Sequence, residues 1–402
     1  MSLNMKVEQM YKFQEFEVPT AIKHGIGAVK EVGQEVKQLG VSKALLVTDP
    51  GIYDAGVTSP VEQSLKSAGI EVVLFNKVEP NPPVRSVAEG SALYRENNCD
   101  GLVAVGGGSS MDTAKAIGVE IAHDASVLEY EAAEGKKPLA NRIPPLTTIP
   151  TTAGTGSEVT QWAVITDEER EYKFNTGGPL IAAHLTIIDP ELHTSMPPHV
   201  TAMTGIDALA HAIECYTMQY AQPVTDAVAL LAIEYVAKYI RRAYSDGNDI
   251  EARYGMAQAA MLAGLSYGSE SAGAAHAMSQ TLGGIIPVAH GQCVAVMMGP
   301  VMEYNWKGHP DKFARIAQAL GINTFNMSTE EAAKAAVNAV YELVEELDVP
   351  SLEEQGVSPD LIDRLAEEAM NDPQTIGNPR DLTVADYKWI YERCFNLTAK
   401  TV

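Results

Sequence analysis

Four short apolar runs recur through the first half of the chain, at residues 43–48 (KALLVT), 71–75 (EVVLF), 102–105 (LVAV) and 146–149 (LTTI). Each is too short for a buried helix, and each reads as a buried strand. The stretches between them are long enough to hold helices. Strands joined through helices run parallel, because an antiparallel pair needs no such crossover. The pattern therefore predicts a doubly wound, mostly parallel α/β sheet. A hairpin is expected after it, with strands at 162–166 and 172–175 around the charged turn 167–170.

The character changes after Met196-Pro197-Pro198. From there Ala, Leu, Met and Glu recur at helical spacing, and Ser328-x-x-Glu331 and Thr383-x-x-Asp386 have the form of capping boxes. An all-helical second half follows, with the boundary near residue 190 and no flexible linker, so the two parts should pack around a cleft. The formal net charge of −23 argues against nucleic acid and anionic lipid as partners. The four cysteines show no CxxC spacing, and the opening MSLNMKVEQM has no apolar signal core. No run of about 18 apolar residues is present. A cytoplasmic enzyme without membrane contact is the expectation.

Two glycine-rich turns follow strands. Gly106-Gly107-Gly108-Ser109 comes directly after LVAV and opens a helical pattern. Such a turn presents free backbone N–H groups and a positive dipole end to a phosphate. It is not GxGxxG, and an ordinary strand-to-helix turn would have the same residues. The second turn runs over 150–157 (PTTAGTGS) and offers hydroxyls at the same sheet edge, where ligands of open α/β sheets collect. Asp49 closes the strand KALLVT. A carboxylate there can bond ribose hydroxyls and repel a 2′-phosphate, which favours NAD over NADP, although Asp49-Pro50-Gly51 is also good turn chemistry.

Asp207 and His211 stand four residues apart in the helical run IDALAHAIE and share one helix face. His276 and His290 lie in apolar sequence, where an unpaired imidazole is costly. One continuous helix would separate those two by about 21 Å at roughly 1.5 Å per residue, so sharing an ion requires a turn. Gly283-Gly284 and Pro287 supply one. Singly, each histidine reads best as a hydrogen-bonded core residue; the set of four favours a metal. One carboxylate and three imidazoles leave a divalent ion with net positive charge, able to polarise an alcohol or carbonyl oxygen. Substrate would need a fifth position, which favours Fe²⁺ over Zn²⁺, though zinc can expand to five.

Together these segments resemble the iron-containing (group III) alcohol dehydrogenase family over nearly the whole chain. The resemblance rests on GGGSSMDTAK at 106–115, IPTTAGTGSEVT at 149–160, MPP at 196–198, DALAHAIE at 207–214, HAMSQTLGG at 276–284, PVAHG at 287–291 and NPR at 378–380. It implies the architecture shared with dehydroquinate synthase, with a dinucleotide-binding α/β domain over 1–190 and an all-helical metal-binding domain over 191–402. It implies cofactor contacts from Asp49, Asn81, Gly107, Gly108, Ser109, Asp112, Thr151, Thr152, Thr155 and Lys173, and metal coordination by Asp207, His211, His276 and His290. A homodimer formed through N-terminal strands is also implied.

One departure from the family stands out. Many members carry a second histidine four residues after the third ligand; here that position is Gln280. An amide is neither a general acid nor a general base near neutral pH, so no residue is assigned to proton transfer, and Gln280 is placed facing substrate or cofactor. Trp162 and Tyr267 fall where family members line the pocket, and the run 269–273 (SESAG) is small and polar. The expected reaction is reversible hydride transfer between NAD(H) and a small primary alcohol or aldehyde, with a polar substrate in view. The alternatives are a hydroxyacid–oxoacid transhydrogenase and a dehydroquinate-synthase-like cyclase that uses NAD and a metal. The cyclase needs several Lys and Arg, in which the metal constellation is poor.

Overall fold

The computed structural model describes residues 15–133, 135–267, 272–286 and 288–395. The expected strands form as β2 (Lys43–Val47), β3 (Glu71–Phe75), β4 (Gly101–Gly106) and β5 (Leu146–Pro150). Two further strands, β1 (Ala21–His24) and β8 (Leu185–Ile188), were not expected from the sequence. They complete a six-stranded sheet in the order β1-β8-β5-β4-β2-β3, with every pairing parallel. The hairpin forms as antiparallel β6 (Trp162–Asp167) and β7 (Tyr172–Gly177).

Side chains alternate across the sheet, as the period of two in a strand requires. Leu45, Val47, Leu102 and Ala104 enter one core together with Val87 of α4 (Val84–Glu96) and Met111 and Ile117 of α5 (Gly108–His123). Ala44, Leu46, Val103 and Val105 enter a second core with Val32 and Val36 of α1 (Val32–Gln38). A short helix, α2 (Pro50–Asp54), follows β2, and α3 (Ser59–Ser67) packs with α1 through Val61 and Leu65. Helices thus cover both faces. Because β3 and β4 flank β2 on opposite sides, the winding reverses at β2. A crevice opens there, beyond the carboxyl ends of β2 and β4, and it is the place where open α/β sheets bind ligands.

The second half is helical among its described residues, beginning with α6 (Pro198–Thr217), α7 (Pro223–Ser245) and α8 (Ile250–Tyr267). The chain continues through α9 (Ala274–Ile285), α10 (His290–Asn305), α11 (Pro310–Ala319), α12 (Thr329–Glu346), α13 (Ile362–Asn371) and α14 (Val384–Cys394). One apolar core joins them, and α6 is buried along most of its length. Both expected capping boxes form, at Ser328/Glu331 and Thr383/Asp386. No described helix is long and apolar enough to cross a membrane. The four cysteines are buried and none forms a disulfide.

Candidate metal centre and dinucleotide cleft

Helix α6 runs under the crevice and carries Asp207 and His211 on one face, as the spacing required. His276 comes from α9, and His290 opens α10. The chain does turn between α9 and α10; Pro287, part of the expected turn, lies outside the described residues. Ligand atoms of Asp207, His276 and His290 gather within 4.8 Å of one another. Asp207 Oδ1 stands 3.6 Å from His276 Nε2 and 3.9 Å from His290 Nε2. His211 lies beside this trio rather than within it. Its ring centroid is 4.2 Å from that of His276, and its Nδ1 donates to the Asp207 carbonyl at 2.9 Å. That hydrogen bond fixes the tautomer and leaves the Nε2 lone pair for a ligand.

Asp207 Oδ1 and His276 Nε2 are both buried with no hydrogen-bond partner among the described residues. At 3.6 Å they are too far apart to bond each other. Two buried polar atoms left facing each other are costly unless something sits between them, and a divalent cation fits a site of one carboxylate and imidazoles with no thiolate. Burial alone would raise the Asp207 carboxyl, yet the imidazoles around it, His211 foremost, hold it well below the usual carboxylate range. Burial pushes His211 down to about 4. Burial also disfavours a charged His276, but Glu214 and Asp207 outweigh it and hold this imidazole up at about 10.

Glu214 was not singled out from the sequence. Its carboxylate accepts from His276 Nδ1 and, at 2.7 Å, from the Ala275 N–H at the start of α9. The signal was present: residues 207, 211 and 214 fall on one helix face, and a glutamate in an otherwise small, apolar run is out of place unless it is paired.

The glycine-rich turn of 106–109 sits at the crevice as expected. Gly106 has φ 151°, and a Cβ there would stand 2.4 Å from Ser110 Oγ, so only glycine fits. Gly107 caps α5 with no side-chain hydrogen bond, which leaves the first N–H groups of the helix free for an anion. Asp49 Oδ1 accepts from Ile52 N at 3.0 Å and caps α2, so the turn role is real. Its Oδ2 faces Gly106 across the crevice, where a ribose could be met. Thr152 packs against Gly107 and Thr155 against Gly108. Thr151 is buried and donates its N–H to Gly106 O at 3.0 Å.

A further buried charge sets the second turn in place. Lys115 Nζ on α5 donates to the carbonyls of Ser157 (2.7 Å), Thr160 (3.0 Å) and Trp162 (2.7 Å). Burial pushes this ammonium down to about 8. Asp112, one turn earlier, accepts from Ser157 Oγ at 2.5 Å and from Val164 N at 3.0 Å. Both its oxygens are therefore engaged by the chain itself, although it borders the cleft.

The resulting cleft brings together Asn81, Gly108, Ser109, Asp112, Thr155, Lys173, His211, His276, Gln280 and His290 of the residues expected to be functional. Asp49, Gly107, Thr151 and Thr152 lie outside this wall, along the crevice at the strand ends, and Asp207 lies beneath it. Trp162 and Tyr267 line the cleft as expected, as does Ser157 of the second turn; Thr160, Val164 and Gln374 also line it and were not expected. Lys173 Nζ donates to Asn81 Oδ1 at 2.8 Å, and Asn81 Nδ2 donates to Val288 O at 3.1 Å, which ties the hairpin to the start of α10. Burial pushes the Lys173 ammonium down to about 8. Gln280 and Lys173 also border a second cavity, so they form the partition between the two. Of the run 269–273, residues 269–271 lie outside the described residues.

This geometry agrees with what the chain is similar to. A family profile described as iron-containing alcohol dehydrogenase matches residues 19–190, and the C-terminal profile of the same family matches residues 201–395. The chain is 81% identical over 402 residues, all of both chains, to the choline dehydrogenase of Bacillus subtilis (strain 168). It is 41% identical over 372 residues to the NAD-dependent methanol dehydrogenase of Bacillus methanolicus, covering 92% of this chain and 97% of that one. The crystal structure of a 1,3-propanediol oxidoreductase superposes with a TM-score of 0.92 at 38% identity, over 96% of this chain and 100% of that one. The chain belongs to the iron-containing alcohol dehydrogenase family.

Proposed function

We propose that this chain is an NAD-linked, divalent-metal-dependent dehydrogenase of small primary alcohols, with choline as its substrate. The observation that carries the reading is the buried pair Asp207 Oδ1 and His276 Nε2, without partners among the described residues, at the base of a cleft that the start of α5 also lines. The choice of choline rests on the 81% identity to a choline dehydrogenase.

Asp207, His211, His276 and His290 would hold the ion, and we retain Fe²⁺ ahead of Zn²⁺ for the coordination reason given above. When bound, the ion would supply Lewis acidity at an alcohol oxygen and the nicotinamide a two-electron acceptor for hydride, the hydroxyl proton being released to solvent. The rest is the work of the chain. Gly107, Gly108 and Ser109 would present backbone N–H groups to the pyrophosphate, and Asp49 would meet the ribose. Lys173 and Asn81 brace the wall, and Gln280 donates or accepts hydrogen bonds without moving a proton. The α/β part to residue 190 would hold the dinucleotide, and the helical part from 191 the ion. The edge of the sheet at β1 is where we place a homodimer contact.

A cyclase acting on a phosphorylated sugar acid would need a cluster of cations. Lys173 is the one lysine or arginine lining this cleft among the described residues. The test is NADH formation from choline, methanol, ethanol and 1,3-propanediol, with Fe²⁺ or Zn²⁺ restored to chelated protein. His276→Ala should lose bound metal and nearly all turnover while still binding NAD. Full activity of that variant after chelation would refute the assignment.

A further inference from the structure

Aromatic side chains also line the cleft. Tyr267, the last residue of α8, meets His211 edge-on with ring centroids 5.9 Å apart. It is therefore one side chain from the metal-ligand cluster. Its hydroxyl donates to Gln374 Oε1 at 3.3 Å, which fixes the ring.

Trp162 lines the same cleft. Its six-membered ring lies against the backbone of Gly177, its partner across the hairpin; a Cβ on Gly177 would stand 2.0 Å from Trp162 Cε3. The Trp162 carbonyl is held by the buried Lys115 ammonium at 2.7 Å. The indole is thus held against Gly177 where it lines the cleft. Two half-buried aromatic rings in one cleft, where Lys173 is the one lysine or arginine of the lining among the described residues, suit a desolvated organic cation.

We infer that Trp162 and Tyr267 form a subsite for the trimethylammonium head of choline, and that the subsite selects the charge of the substrate as well as its bulk. This rests on the proposed dehydrogenase reading. The hydroxyl and the ammonium of choline are separated by two carbons, which matches the placement of Tyr267 one imidazole away from the ligand cluster. Gln374 and Gln280 border the space between without adding a charge.

The test compares choline with 3,3-dimethyl-1-butanol, its neutral isostere, in the metal-restored enzyme with NAD. Cation–π attraction at a desolvated site predicts a kcat/KM ratio of about 30 in favour of choline. In Tyr267→Leu and in Trp162→Leu the ratio should fall to within about threefold of unity, whereas Tyr267→Phe, which keeps the ring, should retain most of it. Should a Leu variant fail to fold, Trp162→Phe serves in its place, with a partial loss of the ratio. Choline binding is measured in parallel by calorimetry on the same proteins. A wild-type ratio near one, or a ratio unchanged in both Leu variants, overturns the subsite while turnover of the isostere keeps the dehydrogenase. Choline binding that depends on both rings, with no NADH from any alcohol, supports the subsite and overturns the dehydrogenase.

Discussion

His276 gives its Nδ1–H to the carboxylate of Glu214, which ties α9 to α6, and turns its Nε2, without a partner among the described residues, toward Asp207 of the same helix. A carboxylate behind a ligating histidine fixes its tautomer and raises its basicity. Glu214→Gln keeps the shape and removes the charge. Metal affinity, read by competition with a chelator, should fall about 10- to 100-fold. An affinity equal to that of the unaltered protein would show that Glu214 only pins the start of α9 through Ala275.

Asp49 has one oxygen committed to capping α2 and the other facing Gly106 across the crevice. Asn caps as well as Asp, so Asp49→Asn separates the two roles. Loss of the negative charge should improve kcat/KM with NADP about tenfold, the equivalent of roughly 1.4 kcal/mol, and leave the unfolding temperature nearly unchanged. Steady-state kinetics with both dinucleotides checks this. Unchanged discrimination would mean that Asp49 never meets the ribose.

The parts that could be read from the sequence are those in which local pattern and tertiary role agree. β2, β3, β4 and β5 are apolar runs because both faces of the sheet are covered, and the hairpin announces itself by its charged turn. β1 and β8 are four residues each. β1 is mostly exposed at the sheet edge, so it carries no apolar run to read. The gathering of His211, His276 and His290 about Asp207 was legible because imidazoles in apolar sequence need partners. Glu214 and Lys115 were not, because a charged residue in a helix reads as solvated surface, and only the packing of distant segments shows them buried.

His193 links acid sensitivity to the second glycine-rich turn. Its Nε2 donates to Pro150 O at 2.9 Å, its Nδ1 has no partner among the described residues, and burial pushes it down to about 4. The folded form holds His193 neutral while the unfolded chain takes up a proton at about 6.5. The unfolded state binds more protons between those values, so the contribution is complete above pH 6.5 and is lost as pH falls toward 4. The loss is on the order of 3 kcal/mol. Urea unfolding at pH 7 and at pH 4.5 should show a smaller difference in His193→Gln than in the unaltered protein. Equal differences in the two would place the acid sensitivity elsewhere.

Lys115 gives the sharpest stability test, because its ammonium has three protons and three close carbonyls, those of Ser157, Thr160 and Trp162. Lys115→Met fills the same space but leaves those carbonyls without a donor and deprives buried Asp112 of its countercharge. Breaking a buried polar network from one side costs about 3–5 kcal/mol, well above the change from a surface substitution. The urea midpoint should fall accordingly. The same carbonyls hold the loop that packs on Gly108 and the base of the Trp162 hairpin, so NAD affinity and the choline preference should weaken together in whatever fraction remains folded. A variant that loses stability but keeps both would show that the loop is held by Asp112 and Ser157 alone.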